Sequence, residues 1–162
     1  EAVVELSGNR LNGVFAHGGT SQVDQNELLD ADGCALEITG NQTVVTASAN
    51  SIHSSETGVC TSGGAAATIV ANDIVDNGTG ISLGTDASVS NNEVHENGTG
   101  ILFRVGSPTV EGNSVTDNGV GLAFGSLPTT PSINDNELCQ NATGVEAPQG
   151  VVVPSLDGNE VC

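Results

Sequence analysis

The sequence lacks three residue types on which many binding sites depend: its 162 residues include no Trp, no Tyr and no Met. The aromatic side chains are Phe15, Phe103 and Phe124, so the large stacking platforms of sugar-binding and base-binding sites are missing. The chain also has no run of about 18 apolar residues, the length that a transmembrane helix requires. We therefore expect a mature chain without a retained signal peptide and without membrane insertion.

Positive charge is almost absent. Arg10 and Arg104 are the only basic residues against 20 Asp and Glu, which gives a formal net charge of -18. Two cations cannot neutralise a row of phosphates or dock the chain on an anionic membrane. Nucleic acid is therefore not an expected partner, whereas cations, neutral polymers and other proteins are.

One sequence unit recurs along most of the chain. The units that begin at Asn72, Asn92 and Asn113 read NDIVDNGTGISL, NEVHENGTGILF and NSVTDNGVGLAF. A period near 22 residues indicates one coil of a solenoid per repeat. We expect the anchor side chains to stack as a ladder, each amide donating to the carbonyl of the next coil. The anchors are Asn50, Asn72, Asn92, Asn113, Asn136 and Asn159.

Apolar and polar residues alternate within each unit, as in Ile81 and Leu83. This spacing of two predicts short strands rather than helices. Glycine recurs at two fixed places per unit, and we expect it to supply the positive φ values of the corners.

This pattern resembles the right-handed parallel β-helix proteins of the pectate-lyase-like superfamily, in particular the NosD-type repeats that read N-x-I-x-x-N-x-x-G-I. The resemblance implies an all-β, single-stranded right-handed parallel β-helix of about seven coils in one domain, residues 1–162. Within it, residues 1–25 form a weakly patterned first coil, 26–147 the regular coils, and 148–162 a Pro-containing insertion with a terminal half-coil. A leucine-rich repeat fits less well, because its LxxLxLxxN consensus is not met. Enzymes, adhesins, tailspikes and fibres share the β-helix, so it does not fix the function.

Four cysteines without a CxxC motif favour disulfides over zinc and an oxidising, extracellular location. Cys139 and Cys162 both lie three residues after an anchor in consecutive units, which places them about 4.8 Å apart, within the range of a disulfide. Cys34 and Cys60 lie in neighbouring units, about one position out of register, and pair by elimination.

Acidic residues form two columns in the aligned repeats. One column directly follows the anchors and includes Asp73 and Glu93. The other lies four residues after them and includes Asp76, Glu96 and Asp117. The second column is either a solvated acidic face or a Ca²⁺-binding column, and no other cofactor is expected.

The three histidines are expected to lie at the surface. His53 and His95 share a register but are two units apart, about 10 Å, too far to chelate one ion. His17 has no partner at ligand spacing.

Four Asn-x-Thr sequences are candidates for glycosylation, at Asn41, Asn77, Asn97 and Asn141. Three of them occupy the same repeat position, so they predict either a column of glycans along one edge or the turn chemistry of an Asn-Gly-Thr-Gly corner.

Enzymatic activity is not expected. The pectate lyases that this chain resembles use a basic residue to abstract a proton beside a calcium cluster, and only Arg104 corresponds here. Its aligned neighbours, Gly84 or Thr85 and Gly125, offer no acid. The motifs of polygalacturonases and alginate epimerases are also missing.

Neither end of the repeat array looks capped, so we expect the open coils to stack head to tail into a fibre. The sequence thus indicates a non-enzymatic, secreted structural or surface-interaction protein, whose partner is itself or an extracellular polymer. The alternative is a polysaccharide-binding module or a relative of the polysaccharide lyases and hydrolases. Ice binding would need a regular Thr-x-Thr face, which the pattern lacks.

Overall fold

The computed structural model describes residues 3–11 and 13–162, so residues 1, 2 and 12 of the predicted first coil lie outside it. Every regular element in the described part is a strand. In chain order these are β1 (Val3–Ser7), β2 (Arg10–Leu11), β3 (Val14–Asp24), β4 (Glu27–Leu29), β5 (Cys34–Ser48), β6 (Ser51–His53), β7 (Thr57–Ser62), β8 (Ala66–Val70), β9 (Asp73–Val75), β10 (Thr79–Leu83), β11 (Ser88–Ser90), β12 (Glu93–His95), β13 (Thr99–Phe103), β14 (Thr109–Glu111), β15 (Ser114–Thr116), β16 (Val120–Phe124), β17 (Ser132–Asn134), β18 (Glu137–Leu138), β19 (Thr143–Glu146) and β20 (Glu160–Val161).

The strands form three parallel faces of a solenoid with about seven coils, which confirms the predicted fold. Face 1 contains the first half of β3, the first half of β5, β7, β10, β13, β16 and β19. Face 2 contains β1, the second halves of β3 and β5, β8, β11, β14 and β17. Face 3 contains β2, β4, β6, β9, β12, β15, β18 and β20. Each strand pairs with the strand one repeat away, so residues about 22 positions apart become vertical neighbours.

Apolar side chains from all three faces fill the interior. Ile74, Val94 and Val115 are register partners on successive coils of face 3, and all three are fully buried. Phe103 and Phe124 stack inside face 1 with ring centroids 4.9 Å apart. The alternation that predicted strands therefore separates an apolar interior from a polar surface.

The predicted asparagine ladder is present at the corner between faces 2 and 3. From Asn26 to Asn159, each side-chain Nδ2 donates to the Oδ1 of the next rung, at 2.8–3.2 Å. The same Oδ1 also accepts the backbone N–H of the preceding rung, as in Asn72 N to Asn92 Oδ1 at 2.9 Å. Each rung therefore satisfies buried main-chain groups as well as its neighbour's amide.

A second asparagine ladder lies at the corner between faces 3 and 1. The sequence analysis did not predict it. Its rungs are Asn77, Asn97, Asn118 and Asn141, with Nδ2 to Oδ1 distances of 3.0–3.1 Å. Ser55 holds the equivalent place one coil earlier, where its backbone N–H donates to Asn77 Oδ1. The Asn-Gly-Thr-Gly segments are thus corners, as the turn interpretation predicted.

The expected role of the repeated glycines is wrong. The residue before each rung adopts the left-handed conformation, and it is usually not glycine: Ala71 has φ 54° and Glu96 has φ 56°. The repeat glycines instead allow close packing between coils. A Cβ on Gly80 would lie 2.7 Å from the Gly100 carbonyl oxygen, and one on Gly98 would lie 2.6 Å from the Gly78 carbonyl oxygen.

Both predicted disulfides are present and indicate an oxidising environment. The Cys139 and Cys162 Cα atoms are 4.7 Å apart, and those of Cys34 and Cys60 are 5.9 Å apart. The predicted register of the second pair is wrong, because Cys34 lies opposite Thr57 and Cys60 opposite Glu37, a displacement of three positions. The strand bends between these positions, where Ala35 and Leu36 are both buried.

The segment after β19 is a loop until β20 begins at Glu160. Its side chains Val151, Val153 and Leu156 are partly buried and pack against the core. This loop therefore packs apolar side chains against the core after the last regular coil. Asn159 then supplies the last described rung of the first ladder.

Candidate functional site

The proposed Ca²⁺ column does not form a three-ligand site. Asp76, Glu96 and Asp117 are exposed and occupy the left-handed corner position directly before the second ladder. They stand on three successive coils, so the first and third are two interstrand spacings apart, about 10 Å. Among the described residues, they are not one of the groups whose ligand atoms lie within 4.8 Å of one another.

Two of the four predicted glycosylation sites are buried. The Asn77 and Asn97 side chains are 4% and 3% exposed, and the Nδ2 atom of each donates to two backbone carbonyls and the next rung. A glycan on Nδ2 would have to break the second ladder, so the glycan column is wrong at these positions. Asn141 is a half-buried rung whose Nδ2 donates to the Val115 carbonyl at 2.8 Å. Asn41 is exposed, and its glycosylation stays a prediction.

The acidic column that follows the first ladder lies on the outer surface of face 3. Asp73 and Glu93 are register partners on adjacent strands. The His95 Nε2 atom lies 3.0 Å from Asp73 Oδ1, and one ligand atom from each of these three residues lies within 4.8 Å of the others. The sequence analysis compared histidines only with each other and missed this group, although both columns were visible in the repeat. Among the residues that the structure describes, the other group with such spacing is Cys139, Glu160 and Cys162, whose sulfurs form a disulfide.

Arg104 lies at the edge of face 1, directly after β13, in an open groove of about 480 Å³. Its guanidinium has no ion-pair partner among the described side chains. The groove is lined by hydroxyls and apolar groups together with the Cys34–Cys60 disulfide. The lining residues are Cys34, Cys60, Thr61, Ser62, Gly63, Ser82, Gly84, Arg104, Val105 and Leu127.

The other end of face 1 carries an exposed aromatic pair. Phe15 is 65% exposed, and its ring stacks on His17 with centroids 6.0 Å apart and planes 6° from parallel. Both side chains come from β3, two positions apart on the outer surface. The sequence analysis dismissed stacking platforms because Trp and Tyr are absent, and it did not foresee that Phe15 would face outward.

Register connects these two ends into one surface, which we call the face 1 strip. His17 pairs with Thr39, which pairs with Ser62, and the next two coils place Gly84 and Arg104 in the same row. Arg104 thus lies four coils from His17, about 19 Å at one interstrand spacing per coil. The Ser62 hydroxyl donates to Thr39 Oγ1 at 2.9 Å, so hydroxyls run between the two ends. The strip comprises Phe15, His17, Thr39, Ser62 and Arg104, whose side chains are exposed or half-buried.

In the described residues we find no helix, and therefore none with the length and hydropathy to cross a membrane.

Comparisons with known proteins agree on the fold. Residues 3–147 match the family model described as right handed beta helix region. The A-module of a mannuronan C-5 epimerase from Azotobacter vinelandii superposes with a TM-score of 0.59 over 99% of this chain, at 14% sequence identity. The chain spans 56% of that module's length. A search of curated proteins finds no match.

Proposed function

We propose a function for this chain from the outer surface of face 1. The chain belongs to the right-handed β-helix family. It is a non-enzymatic, secreted surface-interaction protein that binds a neutral polysaccharide along the face 1 strip. The observation that carries this proposal is the exposed Phe15–His17 stack, joined by register to a row of hydroxyls and to Arg104.

The Phe15–His17 stack offers an apolar platform to one face of a sugar ring. Water makes few favourable contacts with an exposed aromatic ring. Burial of the ring's apolar face against another flat, partly apolar surface is therefore favourable. Phe15 is 65% exposed and stacks on a second ring, and this contact reduces the rotamer freedom that the side chain would lose on binding.

The middle and far end of the strip offer hydrogen-bonding groups. Thr39 and Ser62 present hydroxyls that can donate and accept, while Arg104 has five N–H donors and no acidic partner among the described side chains. Sugar hydroxyls match this mixture of donors and acceptors. The exposed Leu127 and Val105 line the groove beside Arg104 and would cover the apolar edges of a ring.

The net charge favours a neutral polymer over an anionic one. A polyuronate would meet one local cation but an overall charge of -18, so long-range repulsion opposes its approach at low salt. A neutral polysaccharide meets only the local surface. Repeating sugars along one axis also suit a surface whose side chains repeat at every coil.

The groove chemistry supports a non-enzymatic role. Its lining residues include neither a carboxylate nor a histidine that could exchange a proton beside Arg104. The lateral surface also replaces the head-to-tail contact as the favoured mode of interaction, because Val151, Val153 and Leu156 cover part of the core beside β19.

The experiment is binding to a panel of soluble polysaccharides at physiological salt, measured by affinity electrophoresis and calorimetry. We use a β-glucan, a mannan and a xylan, with a polyuronate as the anionic comparison. At least one neutral polymer is expected to bind, and Phe15→Ala to weaken that binding about tenfold. Arg104→Gln is expected to weaken it as well.

The matched control is Val44→Ala, which removes an exposed apolar side chain from face 2. It should leave binding unchanged. Equal losses in the Phe15 and Val44 variants, or no binding to any neutral polymer, would overturn the proposal. Growth of the particle with protein concentration, measured by sedimentation without polysaccharide, would favour head-to-tail assembly instead.

A further inference from the structure

The outer surface of face 3 brings an imidazole and two carboxylates together from adjacent coils. Asp73 lies on β9, and Glu93 and His95 lie on β12. Asp73 and Glu93 are direct register partners, while His95 is two positions along the same strand and so projects from the same surface. Their ligand atoms lie within 4.8 Å of one another.

The chain contains a second example of this arrangement, in which a cation already sits on the carboxylate. Two coils away, Glu27 takes the place of Asp73 and His53 that of His95, with Nε2 3.3 Å from Glu27 Oε1. There the Arg10 Nε atom donates to Glu27 Oε2 at 3.0 Å, and Ser51 stands where Glu93 would be. In the copy at Glu27, the carboxylate at this register position is therefore paired with the positive charge of Arg10.

The copy at Asp73 has more negative charge and no such side chain. Two carboxylates directly opposite each other on neighbouring strands repel, and each loses some hydration to the other. Arg10 bonds to Glu27, and Arg104 lies on face 1, so neither of the two basic residues neutralises Asp73 and Glu93. A cation from solution would fill the role that Arg10 has at Glu27.

We propose that Asp73, Glu93 and His95 bind a first-row divalent cation of the Zn²⁺ type. The imidazole decides the class of ion, because His nitrogen with carboxylate oxygens suits zinc and its neighbours, whereas Ca²⁺ takes six to eight oxygens. Three protein donors leave room for water to complete the shell. The Glu96 Oε1 atom lies 3.9 Å from His95 Nδ1, too far for a hydrogen bond but near enough to add negative charge beside the site.

Such an ion would join two coils across face 3. Because it binds the folded register and not the unfolded chain, it would raise the stability of the coils that carry β9 and β12. This site is independent of the face 1 strip, so the polysaccharide experiment and the metal experiment can fail separately.

The test is calorimetric titration of the intact protein with ZnCl₂ at physiological salt, repeated with CaCl₂. One equivalent of Zn²⁺ is expected to bind, and Ca²⁺ to bind more weakly. Glu93→Ser reproduces the Ser51 arrangement on an exposed position, so the variant should fold. Both Glu93→Ser and His95→Gln are expected to weaken Zn²⁺ binding by about tenfold or more.

His53→Gln is the matched control, because it alters the equivalent ring beside Arg10. It should leave the Zn²⁺ affinity unchanged, and NMR should show Zn²⁺ shifting the ring signals of His95 but not those of His53. Absence of stoichiometric Zn²⁺ binding, equal losses in the His53 and His95 variants, or tighter binding of Ca²⁺ than of Zn²⁺ would overturn the proposal.

Discussion

Replacing Asn97 with alanine is expected to lower the free energy of unfolding by about 3 kcal/mol or more, since each buried group left without a partner costs about 1–3 kcal/mol. The Asn97 side chain is 3% exposed. Its Oδ1 accepts the Asn77 backbone N–H at 2.9 Å, and its Nδ2 donates to the Ile74 carbonyl at 3.0 Å. Alanine leaves the buried Asn77 N–H without its acceptor, and it also removes the hydrogen bonds of Asn97 to the Ile74 and His95 carbonyls and to the neighbouring rungs. Urea denaturation with an unchanged m-value measures the effect.

Two comparisons separate the hydrogen bonds from packing. Asn97→Asp keeps the shape but places a carboxylate against the His95 and Ile74 carbonyls, so it should destabilise at least as much as alanine. Asn141→Ala removes a half-buried rung of the same ladder, where water can replace the lost partner. If Asn97→Ala cost no more than Asn141→Ala, the ladder would not be a main source of stability.

Gly100→Ala is expected to cost about 1–3 kcal/mol, as overpacking of a well-packed interior does. The added Cβ would lie 2.7 Å from the Gly121 carbonyl oxygen and 2.7 Å from Val115 Cγ1. The first of these is backbone of the next coil, which cannot move without disturbing the parallel pairing on face 1. Thermal and urea unfolding measure the loss.

The chain provides a matched control in the same glycine column. Gly144 holds the same place on β19 that Gly121 holds on β16, between two pairs of register partners, but a Cβ there meets no atom within 4 Å, and its φ is not positive. Gly144→Ala should therefore be neutral or slightly stabilising, through lower entropy of the unfolded chain. Equal costs at Gly100 and Gly144 would contradict the packing explanation.

The column also contains a natural alanine that fits the same explanation. Ala35 holds the place on β5 that Gly58 holds on β7, between two pairs of register partners, and the rung on the coil of Gly58 is Ser55 rather than asparagine. Farther along, the glycines approach asparagine rungs, as a Cβ on Gly100 would approach Asn118 Nδ2 at 3.1 Å. Where the column has alanine instead of glycine, the rung on the next coil is therefore serine, which is smaller than asparagine.

The repeat allowed the fold and the first ladder to be predicted, because a period near 22 with alternating apolar residues permits few other structures. It also fixed the Cys139–Cys162 pair, whose members share a register. The roles of glycine and of the residue before each rung could not be read in the same way. The sequence shows that glycine recurs, but glycine is favoured both where φ is positive and where two backbones lie close together. Only the distances between coils show which of the two reasons applies here.

The candidate sites were less predictable because they depend on neighbours from different coils. The Asp73, Glu93 and His95 group follows from combining two columns that the alignment had separated. Phe15 lies in the weakly patterned first coil, where alternation did not reveal which side chains face outward. The Asn77 and Asn97 sequences fit both a glycan and a corner, and burial decided for the corner.

The most direct test of the stacked register is a cross-link between residues one coil apart. Ser88 and Thr109 are exposed partners on face 2, and no native cysteine is free. The double variant Ser88→Cys with Thr109→Cys should form a third disulfide under mild oxidation, visible by mass spectrometry. Ser88→Cys with Glu111→Cys is displaced by two positions, about 8 Å, and should not. Cross-linking of the displaced pair instead of the partners would contradict the account.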